Sequence, residues 1–145
     1  MGGTTSRNKG KRGERMAIAL LQPVVDRVYA EAGMEVPRLQ RNTLQSDGGG
    51  FDVVGLAWLA LEVKNCEVVA LDRWWEQTVR QANDAQEPVL LFRRNRQRSW
   101  SVCMWGECGM GARLRFLVRV VVGEGDFLAW FEKRLRSELG LEERR

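Results

Sequence analysis

The sequence predicts an α/β domain in which a central mixed β-sheet is flanked by α-helices. Three observations predict it. Apolar residues recur at helical spacing near the start, in the middle and near the end of the chain. Between these stretches lie short runs rich in Val, Leu and Phe, bounded by Gly and Pro. The resulting order is helix, three strands, helix, two or three strands, helix, which argues for a mixed sheet covered by helices.

Residues 1–8 carry Gly, Thr, Ser and Asn without periodicity and read as a flexible arm. A helix begins near Gly10. Ala17, Leu20, Leu21, Val24, Val25 and Val28 form its apolar stripe, and Gly33 is its expected stop. Glu14 extends that stripe at its amino-terminal end, so its carboxylate is expected to point towards the sheet. Pro23, which lacks an N–H, predicts a kink or a break. Residues 35–41 read as an extended segment that Pro37 restricts to an edge or irregular strand. The stretch NTLQSDGGG at 42–50 is a loop by composition.

The chain is organised around residues 47–65, two short strands turning near 55–58, with Asp52 on the first and Glu62 and Lys64 on the second. Residues two apart on a strand share a face, so Glu62 and Lys64 project together while Leu61 and Val63 face a core. Pairing of the two strands sets Asp52 beside Glu62. Two carboxylates and a lysine at a sheet edge suit the holding of a hard divalent cation and the activation of a water.

Asp72 is the expected cap of a second helix, whose apolar stripe is Trp75, Thr78, Val79, Ala82 and Ala85. Pro88 opens an internal strand, PVLLFRR, and RNRQR leads to another, SWSVCMW. CGMG at 108–111 reads as a turn before a strand at 114–122. A last helix carries Phe127, Leu128, Phe131 and Leu135 on one face and ends at Gly140. The six tryptophans are mostly core candidates, with Trp58 and Trp74 the two considered for an exposed stacking or dimer role.

With 145 residues, the chain is most simply one domain, 1–145. No apolar run approaches a membrane span, and the polar, basic start has no adjoining apolar core, so neither a membrane partner nor a secretory signal is expected. Met1-Gly2-Gly3-Thr4-Thr5-Ser6 fits only a loose myristoylation pattern. Three scattered cysteines fit a reducing, cytoplasmic setting better than a disulfide framework. The absence of histidine excludes Ser-His-Asp and Cys-His catalysis and Cys2His2 or Cys3His zinc sites. Chemistry is left to carboxylates, Lys, Tyr, Cys or Ser. The net charge is +4, concentrated in Lys9, Lys11, Arg12 and Arg15 and in Arg93, Arg94, Arg96 and Arg98, a distribution suited to a polyanion.

In KGKRGER (9–15), GFDVVG (50–55), LALEVKN (59–65) and QEPVLLFRR (86–94), the chain resembles the PD-(D/E)xK nuclease superfamily, and within it the archaeal-type Holliday junction resolvases, including phage-encoded versions. The resemblance covers about residues 7–105 and leaves 106–145, an extra strand and a carboxy-terminal helix, outside it. It implies a restriction-endonuclease-like fold and a Mg2+-dependent endonuclease, with Mn2+ as a substitute, that cuts branched DNA as a homodimer. It implies Asp52, Glu62, the Val63 carbonyl and Glu14 as metal ligands, Lys64 as the residue orienting the attacking water, and Ser46 as an active-site loop serine. Lys9, Lys11, Arg12, Arg15, Arg41, Arg93, Arg94, Arg96 and Arg98 become phosphate contacts.

Simpler roles stand beside these. Glu14 fits a solvated first-turn acid, Lys64 an edge-strand charge, Gln77 a solvated helix face, and Asp47 is an alternative to Asp52. Two other activities are compatible with the same residues: a nuclease acting on flaps, ends or mismatches, and a non-catalytic nucleic-acid-binding module.

Overall fold

The computed structural model describes residues 3–43, 51–111 and 114–141. Helix α1 runs Gly3–Glu31. It therefore starts ahead of Gly10, and the segment expected to be an irregular arm is helical from Gly3 onward. Once a helix is nucleated by a packed stripe, each further residue adds a backbone hydrogen bond at little cost. That stripe is as expected: Ala17, Leu21, Val24, Val25 and Val28 are buried. The helix continues through Pro23 without a break, because the ring sits on the exposed face while Val24 and Val25 hold the inner one. Gln22 beside it ties down the next segment, donating to the Pro37 carbonyl at 3.0 Å and accepting from the Leu39 N–H at 2.8 Å. Gly33, at φ +66°, ends the helix in the left-handed region, with the Met34 N–H returning to the Tyr29 carbonyl.

Six strands follow in sheet order: β1 (Gln40–Arg41), β2 (Val53–Val54), β3 (Leu59–Cys66), β4 (Glu87–Arg94), β5 (Ser101–Met110) and β6 (Leu114–Gly123). Strands β3 and β4 are parallel, joined over one face by α2 (Leu71–Gln81), and every other neighbouring pair is antiparallel. The chain is thus an α/β protein with a six-stranded mixed sheet flanked by helices.

The expected cap at Asp72 is not formed. The cap position is Ala70, with no side-chain bond, and Asp72 in the first turn instead accepts from Arg119 at 2.6 Å. The helix also stops before Ala82 and Ala85, where the chain turns into β4. Of CGMG, the first three residues are strand instead of turn, since β5 runs to Met110, and the turn begins at Gly111, in the left-handed conformation at φ +75°. Among the described residues, no helix is long and apolar enough to cross a membrane.

Period-two alternation sends the strand residues to two cores. Leu59, Leu61, Val63, Val89, Leu91, Val102 and Met104 face α1 and α3 (Glu124–Glu138), where Phe127, Phe131 and Leu135 are wholly buried. Leu90, Phe92 and Cys103 face α2, against Trp74 and Trp75. Trp74 is therefore core, and Trp58 packs edge-on to Trp130 and under Arg134, so neither offers a free stacking face.

At Gly13 helix α1 packs close against the sheet: a Cβ there would stand 3.2 Å from the Asn65 Cβ and 3.6 Å from a Val63 methyl. Gly13→Val is expected to lever α1 off β3 and cost about 1–3 kcal/mol of stability, the usual penalty for overpacking. A urea melt of the variant checks this, and a midpoint equal to that of the parent protein would contradict it.

Candidate functional site

Strand β3 enters the sheet as an apolar run, and its even positions bring Glu62 and Lys64 to the face shared with Leu90 and Phe92. Asp52 lies just ahead of β2 rather than within it. Backbone bonds nevertheless hold it in line, since its N–H donates to the Leu61 carbonyl at 3.0 Å and its carbonyl accepts from the Asn42 N–H at 2.9 Å. With Val53 opposite Leu61, Asp52 falls opposite Glu62, as the alternation predicts. Its Oδ2 accepts the Val63 N–H at 2.7 Å. A residue's N–H and C=O point to the same side of a strand, so the Val63 carbonyl faces this carboxylate too.

Glu62 is 3% exposed. Its Oε1 lies 3.0 Å from the Lys64 Nζ, while Oε2 is buried with no hydrogen-bond partner among the described residues. Burial is the main cause that pushes its carboxyl from the ordinary 4.5 up to about 7. The negative charges of Asp52 and Glu14 push in the same direction, and Lys64 offsets part of the rise.

Glu14 reaches the same place from α1. It lines an open cleft of about 500 Å³ with Gly10, Asp52, Val63 and Lys64, and Glu62 lies beneath the surface next to them. The spacing of α1 divides its polar residues between two clefts. Gly10 and Glu14, four apart, face the acidic one, whereas Arg12 and Met16 face a larger basic cleft of about 890 Å³. Lys9, Asn65, Glu67 and Asn95 line both, so the acidic cleft opens into the basic one.

The predicted basic residues separate into groups. Lys9, Arg12, Arg94, Arg96 and Arg98 line the basic cleft and remain solvent-accessible, with Arg96 at φ +73° in the β4–β5 connection. Lys11 and Arg15 are exposed but line neither cleft. Arg41 is committed to Glu14, its Nε 2.5 Å from the carboxylate. Arg93 also lines the basic cleft, but from within the fold. It lies within β4, is 8% exposed, stacks on Trp100 with its guanidinium carbon 4.5 Å from the ring centroid, and bonds Asn65 and the Gln97 carbonyl. Its parity with Val89 and Leu91 was the available signal, since all three alternate onto the α1 face.

Gln77, half-buried on α2, lines neither cleft. Ser46 and Asp47 lie outside the described residues. Sequence reasoning did not single out Gly13 or Asn65, which together set how close Glu14 comes to β3.

Among the described residues, no three Asp, Glu or Cys side chains form a ready-made metal cage. The Glu14 carboxylate is turned to Arg41, and one oxygen of Glu62 to Lys64. The donor set nonetheless fits a hard cation. The Glu62 Oε2 is a buried anionic oxygen without a partner, placed beside a second carboxylate and a backbone carbonyl, and a small divalent ion that keeps some of its waters needs only a few such oxygens. Compared with known proteins, the chain matches no family model, no curated protein and no solved structure.

Proposed function

We propose that the protein is a Mg2+-dependent DNA endonuclease of the PD-(D/E)xK kind that resolves four-way junctions as a homodimer. The observation that carries this reading is the buried Glu62 Oε2, without a partner among the described residues, beside Asp52 and Lys64 at the mouth of a basic cleft. Asp52, Glu62 and the Val63 carbonyl would hold the ion, with Glu14 joining once it releases Arg41. When bound, Mg2+ supplies a Lewis acid and a water of lowered pKa. Lys64, tethered by Glu62, would orient that water and balance charge growing on the scissile phosphate. Arg12, Arg96 and Arg98 track the backbone on either side, contacts that position a duplex without reading its sequence.

The test is cleavage of a labelled immobile four-way junction beside linear duplex, flap and single strand, with Mg2+ or EDTA. Paired, symmetric nicks confined to the junction and abolished by EDTA are expected. Equal cutting of all four substrates would replace the resolvase with a general nuclease. A binding-only module is the second reading, favoured by the hold of Arg41 on Glu14. Tight junction binding with no cutting in any divalent metal would establish it.

The two groups of arginines are expected to behave differently. Arg96→Ala and Arg98→Ala should each weaken junction binding and lower the slope of log K against log salt by about 0.9 for each phosphate that is no longer neutralised. Arg93→Ala should leave that slope alone and lower thermal stability, because its guanidinium packs on Trp100 inside the fold. Binding isotherms at several salt concentrations, with melts alongside, separate the two outcomes.

A further inference from the structure

Strand β6 is the outer edge of the sheet, ten residues long, and it leaves apolar side chains in solvent on both faces. Leu114 and Phe116 are 66% and 46% exposed on the α1/α3 side, in line with Val118, Val120 and Val122. Leu117 and Val121, 66% and 50% exposed, alternate onto the α2 side, where Val121 pairs with Cys103 and Arg119 reaches Asp72. An open edge of this length, without Pro or a bulge, offers unpaired backbone N–H and C=O groups to another strand. A helix or a rounded surface laid on one face would cover one set of side chains and leave the other wet. Only a strand added in plane borders both.

The sequence of β6 is complementary to itself. Residues 114–122 centre on Val118, and antiparallel pairing about that point sets Leu114 opposite Val122 of a second copy, Phe116 opposite Val120, and Val118 opposite Val118. One face is then apolar throughout. On the other face Arg115 meets Val121 and Leu117 meets Arg119, so no arginine faces an arginine directly. Each arginine also keeps a carboxylate of its own chain, Arg115 with Glu107 and Arg119 with Asp72. A register one residue pair back, centred on Leu117, would set Arg115 against Arg119. The opposite edge, β1, is two residues long, so head-to-tail stacking of β6 on β1 offers few bonds and a closed two-fold pair offers many.

We infer that β6 pairs antiparallel with β6 of a second copy, in the register centred on Val118, to join the two sheets into one. The inference supplies an interface for the homodimer of the proposed function, but it stands on β6 and is read by mass, not by cleavage. An active monomer would sink the interface and leave the nuclease, whereas a stable dimer that cuts nothing would do the reverse.

The experiment is sedimentation velocity of the full chain without DNA, with Val118→Lys as the breaking variant. The parent should run at twice the chain mass, and Val118→Lys, which sets two ammonium groups opposite each other on the axis, should run as monomer with a cooperative melt retained. Because Val118→Lys can also unfold the hairpin, a second pair of variants reads the register directly in a Cys66→Ser, Cys108→Ser background. Residues facing each other across an antiparallel pair have Cα atoms about 4.5–5.5 Å apart, within disulfide reach. Val118→Cys should therefore crosslink under mild oxidation. Leu114→Cys, whose counterpart would lie about 26 Å away along the strands, should not. A parent that stays monomeric even in a concentrated stock, a dimer that survives Val118→Lys, or crosslinking at 114 in place of 118 would each overturn the inference.

Discussion

Glu62→Gln is expected to abolish cleavage while leaving the metal-free protein as stable as its parent or more so above neutral pH. Most substitutions at a buried site lower both. Here the two separate because the Glu62 carboxylate is only 3% exposed, lacks a partner for Oε2 among the described residues, and sits beside the negative Asp52. A buried charge of that kind opposes folding unless something neutralises it. An amide of the same shape removes the charge, keeps an oxygen for Lys64 and offers an N–H towards Asp52. Cleavage falls because an amide is a poor ligand for Mg2+ and tethers Lys64 less firmly; a loss of several kcal/mol of transition-state stabilisation corresponds to about a thousandfold or more in rate.

Asp52→Asn is the companion variant. Its amide oxygen can still accept the Val63 N–H, so the fold should persist while cleavage drops by a similar factor of about a thousand. The readouts are single-turnover cleavage of the junction, junction affinity, and melting temperature in EDTA at pH 8. Retained cleavage in both variants would remove the metal-site reading altogether. Lost cleavage together with a melting temperature well below the parent's would mean that Glu62 has a structural role and is not an uncompensated ligand.

The second large effect is the way in which pH and divalent cation oppose each other. Without metal, the folded-state pKa of Glu62 is raised to about 7 from 4.5, by burial first and then by Asp52 and Glu14. Between those values the folded chain holds a proton that the unfolded chain has released. The contribution is therefore fully present below about pH 4.5 and is lost as pH rises through about 7. A whole proton of difference corresponds to a slope of about 1.4 kcal/mol per pH unit.

Metal-free protein should accordingly melt lower at pH 8 than at pH 5.5 by the part of this slope that Glu62 supplies, and Glu62→Gln should flatten it. Mg2+ should do the same from the other side. A cation that binds only the folded state at a hundred times its Kd adds about 2.7 kcal/mol, and it binds best where Glu62 is ionised. Melts across pH 5 to 8 in EDTA and in Mg2+ check the sign. A slope that survives both Glu62→Gln and saturating Mg2+ would show that another group carries it; Glu87, whose carboxyl burial also pushes up, is the next to examine.

Much of the fold was legible in the sequence because two periodicities write themselves into composition. The stripe from Ala17 to Val28 and the face of Phe127, Phe131 and Leu135 follow from a period of 3.6, and Leu59, Leu61 and Val63 against Glu62 and Lys64 follow from a period of two. The glycine stops at Gly33 and Gly140 followed from the cost of a left-handed backbone for any residue with a Cβ. The nearness of Asp52 to Glu62 was also legible, since one antiparallel hairpin with one parity brings them together.

Other features are decided by partners distant in sequence, and local pattern could not report them. Asp72 is a first-turn acid by sequence and became the partner of Arg119 once β6 was placed beside β5. Pro23 did not break α1, because tertiary packing of Val24 and Val25 outweighed one missing backbone bond. Arg41 was drawn to Glu14, and Arg93 under Trp100, because charge runs in a sequence carry no information on which members end beneath an aromatic ring. The sequence by itself determined that two carboxylates and a lysine fall together on one hairpin, in a chain without histidine. Only the tertiary structure decided that one of those carboxylates is buried with an unpartnered oxygen, that α1 approaches closely enough at Gly13 to bring Glu14 to it, and that the acidic cleft opens into the basic one. Alternation fixes the face on which a side chain stands, whereas solvent exposure and charge pairing depend on which elements come to rest against that face.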